Sequence, residues 1–133
     1  MDPANSATVF PDGLPPELAA AACVAGREVA WTPSVVLAAV EWLGKHRYAV
    51  LGTELWVVQG GSIKSLPKGT SGKPDVHGNT VNRERGETWD SFVARAARDT
   101  LAYLRSFRPE EILETGELYF NVVYVSEAEF DRL

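Results

Sequence analysis

Several residue types are scarce in this sequence, and each shortage excludes something. Cysteine occurs once, at Cys23, so no disulfide can form within the chain, and a reducing compartment suits it. Histidine occurs twice, at His46 and His77, and no His, Cys or carboxylate spacing matches a zinc arrangement; Asp75-x-His77 on a loop falls short of one. No Gly-x-Ser-x-Gly elbow supports a serine nucleophile. The glycine-rich stretch Gly69-Thr70-Ser71-Gly72-Lys73 lacks the spacing of a phosphate-binding loop, and Pro74 follows its lysine. No cofactor and no metal is therefore expected. Long apolar runs are also missing. The Ala-rich stretch 18–25 spans eight residues and follows Pro16-Glu17, and Met1-Asp2-Pro3-Ala4-Asn5 has no basic start, so neither a signal peptide nor a membrane span is expected and the chain reads as cytoplasmic.

Basic residues are missing from one long stretch. Between Glu110 and Asp131 there are seven acids and no base. Residues 87–133 hold ten acids against five arginines, whereas residues 61–86 hold five bases against two acids. The whole chain carries −5. Phosphate binding needs a basic footprint, so nucleic acid is not expected as the main partner. A basic protein partner, drawn in by electrostatics, is compatible with this balance. Solubility alone is the plainer reason for an acidic surface.

With 133 residues, 45% of them hydrophobic, the chain has the size of one domain with its own core. Its centre is the apolar run 48–58, rich in β-branched and aromatic residues and read as one strand, or two halves joined at Gly52, either buried on both faces or covered by helices on one side. Gly52 inside it predicts a bulge or a close backbone approach. Before it, 1–15 reads as an irregular arm with three prolines. A short helix is predicted from Pro16 to Gly26, which places Cys23 on a helix. A second starts at Thr32-Pro33 and runs to Lys45, with Val36, Ala39, Val40 and Leu43 on one face and His46 at its negative end. After the strand, 59–86 reads as a long basic loop. Within it lie a short hairpin strand, 62–66, a loop of composition at 67–75, and a possible strand around Thr80-Val81-Asn82.

Thr88 predicts the cap of the strongest helix, whose stripe is Trp89, Phe92, Val93, Ala96, Ala97, Thr100, Leu101 and Leu104. Residues 109–116 are predicted as a helical turn and 117–125 as the second strong strand. Ser126-Glu127-Ala128-Glu129 has the form of a capping box and predicts a terminal helix. Together these predict an α+β fold. A small, mostly antiparallel sheet packs against two main helices, with short helices at the ends.

Glu54 is the one carboxylate set in an apolar strand. It has three readings: a group at a strand edge or paired with an arginine beside the sheet, a binding residue, or a general acid–base group in a small-ligand site or enzyme with His77, Tyr119, Asn121, Arg83 or Arg85 as partners. The candidate binding residues are Glu54, Trp56, Arg83, Arg85, Glu110, Glu111 and Glu114; no catalytic residue is nominated. A dimerising adaptor domain is a further alternative.

The pattern resembles the immunity protein 40 family of bacterial proteins that neutralise polymorphic toxins. The resemblance rests on Trp42-Leu43, the strand Ala49-Val50-Leu51-Gly52-Thr53-Glu54-Leu55-Trp56, the passage Arg85-Gly86-Glu87-Thr88-Trp89 with Phe92-Val93, and Tyr124-Val125-Ser126-Glu127-Ala128-Glu129-Phe130. It implies a non-enzymatic protein that binds and inhibits a cognate, basic toxin, and it implies no catalytic residues.

Overall fold

The computed structural model describes residues 10–65, 78–112 and 114–133. The fold is α+β. In chain order the elements are α1 (Pro16–Ala21), β1 (Cys23–Ala25), β2 (Glu28–Trp31), α2 (Pro33–Lys45), β3 (Ala49–Gln59), β4 (Ser62–Ser65), β5 (Gly78–Thr80), α3 (Trp89–Ser106), a 3-10 turn (Pro109–Glu111), β6 (Glu117–Val125) and α4 (Glu127–Asp131). The predicted loop 67–75 and the Asp75-x-His77 pair lie outside the described residues, as do residues 1–9 of the predicted arm.

All described pairings are antiparallel, in the order β1-β2-β6-β3-β4, with β5 joining β3 on the β4 side. The long strand β3 is thus the axis of the sheet. It pairs with β6 along nearly its whole length, while β5 and β4 share its other edge. The register shifts between Val50 and Gly52, which makes Leu51 the extra residue of a bulge. Gly52 also meets the second expectation. A Cβ there would overlap the Asn79 carbonyl oxygen, so β5 lies closer than a side chain would allow.

Helices α2 and α3 pack together on one face of this sheet. The apolar stripe of α2 (Val36, Ala39, Val40, Leu43) joins Val50, Leu55, Val57, Phe120 and Val122 in the main core. Trp31 is fully buried there, and its indole N–H donates to the Leu18 carbonyl at 2.7 Å, which fixes α1 to the core. Trp89, Phe92, Val93 and Ala96 of α3 form a second cluster with Ala49 and Val81. The two helices approach closely at Gly44, where a Cβ would stand 2.8 Å from that of Ala97. Gly44 weakens the last turn of α2 as a helix former, but it admits α3.

Three sequence expectations need correction. The helix predicted to run to Gly26 stops at Ala21, and Cys23 lies on β1. Alanine is the strongest helix former, but propensity yields to tertiary context, and here pairing of Cys23–Ala25 with β2 outweighs it. Helical turn is likewise confined to Pro109–Glu111 rather than reaching 116. The strand expected near Val81 falls slightly earlier, at Gly78–Thr80. A relay fixes it there: the Thr53 hydroxyl donates to the Asn79 side-chain oxygen (2.5 Å), and the Asn79 amide donates to the buried Thr100 hydroxyl (3.0 Å).

Candidate functional site

Register and core membership together assign the two faces of the sheet. Leu55, Val57, Phe120 and Val122 point to the helices, so their neighbours point the other way. On that second face Glu54 stands directly across the ladder from Asn121, Trp56 from Tyr119, and Val58 from Glu117. Strand β4 extends the rows with Ser65 opposite Trp56 and Ile63 opposite Val58. Glu54 is partly exposed. Trp56 is only 3% exposed and its indole N–H donates to the Glu54 carboxylate at 3.3 Å, so it props that group from beneath. Asn121 is buried too, and its amide donates to the Val29 carbonyl at 2.9 Å.

The end row differs. Ile63 is 40% exposed, Val58 is partly exposed and Glu117 is exposed, which gives an apolar centre beside a carboxylate. The segment leading into β6 carries further acids but runs over the helix-side face: Lys64 stands opposite the helix-facing Val57, a Cβ at Gly116 would meet Val57, and Ile112 packs on the main core. Glu110 and Glu111 are exposed on the 3-10 turn, and Glu114 pairs with Lys64 of β4 at 3.4 Å. The Gln59 amide donates to the Thr115 hydroxyl at 3.0 Å, tying this segment to the end of β3.

The two arginine candidates lie elsewhere. The Arg83 Nε–H donates to the Glu87 carbonyl (3.1 Å), and its guanidinium rests 5.5 Å from the Trp89 ring and 5.4 Å from that of Phe130. It holds α4 against the start of α3 by cation–π attraction and packing. Arg85 is exposed on the adjoining turn. Arg83 and Arg85 stand before α3, and Glu110, Glu111 and Glu114 stand after it. That helix has 18 residues, hence a length of about 27 Å, so the candidates divide into separate groups.

Sequence reasoning missed one strongly charged pair. The Arg95 guanidinium donates to both carboxylate oxygens of Glu87 at 2.8 Å and to the Asn82 carbonyl at 2.7 Å. The Arg95 hydrogen bonds, helped by the Glu84 amide at 2.9 Å, pull the Glu87 carboxyl down to about 2 and push Arg95 upward. Among the described residues no group of three or more His, Cys, Asp or Glu could hold a metal ion, and no helix is long and apolar enough to cross a membrane.

No protein-family model, curated protein or solved structure matches the chain.

Proposed function

We propose that this chain is a non-catalytic binding protein of the immunity type, which neutralises a basic bacterial toxin in the cytoplasm by covering it. The observation that carries the reading is the row Ile63–Val58–Glu117 at the end of the sheet. An exposed apolar side chain on a well-paired sheet, in one row with the Glu117 carboxylate, suits an interface with an apolar centre and a polar rim. The acidic side speeds encounter with a basic surface, and the apolar centre limits dissociation. The resemblance of residues in α2, β3, α3 and β6 to immunity proteins supports the same reading.

The test is to co-express the chain with the toxin encoded beside its gene. Growth protection and a one-to-one complex on size exclusion are expected. Glu117→Lys should slow association by about tenfold at low salt, with a smaller effect at high salt. Failure both to protect and to bind would remove the reading.

One observation favours a small-ligand site at Glu54 instead: Asn121 faces it directly and Tyr119 is one row away. The Asn121 amide, however, already donates to Val29. Glu54→Gln should leave toxin binding unchanged if the end row is the contact; a loss as large as that from Glu117→Lys would favour the Glu54 site.

A further inference from the structure

The ladder between β2 and β6 ends early. Ala30 pairs with Asn121 and Trp31 with Phe120, but Glu28 and Val29 pair only with β1. The β1–β2 hairpin therefore leans away from β6 just where β6 continues toward Val125. In antiparallel register Val29 would face Val122, and Glu28 would face Val123. Instead, a cavity of about 290 Å³ separates them. The Asn121 amide bridges the start of the opening by donating to the Val29 carbonyl, so the splay has a fixed hydrogen bond at its root. Beyond it, β6 stays paired with β3 on its other side, across the bulge at Leu51 that falls opposite Val123 and Tyr124.

We infer that this wedge receives an extended basic segment of a partner protein, added as a strand along Val122 and Val123. Two features select that occupant. A β-edge offers alternating main-chain donors and acceptors, which match an extended peptide better than a compact ligand. Charge gives the sign: Glu28 and Glu129 line the wedge against Arg27 alone, and all three are exposed. A lysine or arginine on the entering strand meets the two carboxylates, while Val123, 46% exposed, offers an apolar neighbour on the far face. The inference uses the β2–β6 opening and does not depend on the toxin reading, whose row lies at the opposite end of β6.

The test is an amide NMR titration of the full chain with the blocked peptide Ac-Lys-Val-Lys-Val-Lys-Val-Lys-NH2 and with its counterpart carrying Glu for Lys. Saturable shifts confined to residues 28–29 and 122–125 are expected below about 1 mM, with amide exchange on this edge of β6 slowed by about tenfold or more. The Glu peptide should bind about tenfold more weakly. Glu28→Lys, at an exposed hairpin position, should weaken the Lys peptide severalfold while the core amides keep their positions. No saturable shift, shifts centred on β1 or β4, equal binding of both peptides, or the same shifts from the single blocked residue Ac-Lys-NH2 would each overturn the inference.

Discussion

Glu87 stands just before the cap of α3, and Arg95 reaches back along the helix to hold both of its oxygens. The sign of the pH effect follows from the direction of the shift. The folded carboxyl titrates near 2, below its value of 4.5 without partners, so the pair stabilises the fold above about pH 4.5. As pH falls the unfolded chain takes up the proton first, and the contribution is lost between about 4.5 and 2. Urea midpoints of the native chain and Glu87→Gln should thus differ most at neutral pH and converge toward pH 2. The pair was illegible because its members are eight residues apart, beyond the spacing of pairs on a helix surface, and Glu87 lies outside the helix that carries Arg95. Asn121 gives a second test. Asn121→Ala leaves the buried Val29 carbonyl without its side-chain donor and should cost about 1–3 kcal/mol by urea denaturation.

At the scale of elements, apolar period was a sound guide wherever an element was long. The stripe of α2 is the buried set of that helix, the stripe of α3 is buried except at Ala97 and Leu101, which are partly exposed, and β6 spans the predicted 117–125. Short elements were harder to read. Cys23–Ala25 has too few residues to show alternation, and its strand state depends on a partner across a turn. Caps show what spacing cannot. Thr88 and Thr32 precede similar helix starts, yet only the Thr88 hydroxyl accepts from the third residue on, the Ser91 amide at 3.2 Å. The Thr32 hydroxyl makes no such cap bond and lies 3.4 Å from that of Ser34. Thr88→Ala should therefore cost about 1 kcal/mol and Thr32→Ala only a few tenths, measured side by side by thermal or urea unfolding. Gly52→Ala should cost about 1–3 kcal/mol, because β5 must retreat from β3 to admit the new methyl group. Amide exchange in Gly78–Thr80 should quicken with it.

For the whole molecule, the acidic third of the sequence is gathered partly at the end of the sheet and partly along α4, and the two groups serve different ends. Glu129 closes the capping box with Ser126, and Glu127 pairs with Arg47 at 3.4 Å, so both help to seat the terminal helix. Glu110, Glu111, Glu114 and Glu117 lie around the start of β6; Glu117 shares the row that exposes Ile63, and Glu114 pairs with Lys64 on the other face. Charge counting along the chain could not separate these groups. It took the pairing of β3 with β4 and β6 to set an exposed isoleucine in one row, across Val58, with a glutamate more than fifty residues away. The most direct measurement is the association rate with the neighbouring toxin, followed from low to high salt, for the native chain, Glu117→Lys and Ile63→Lys. The account predicts a one-to-one complex whose association slows with salt, slower association for Glu117→Lys, and faster dissociation added for Ile63→Lys. A complex indifferent to both substitutions, or no complex at all, would contradict it.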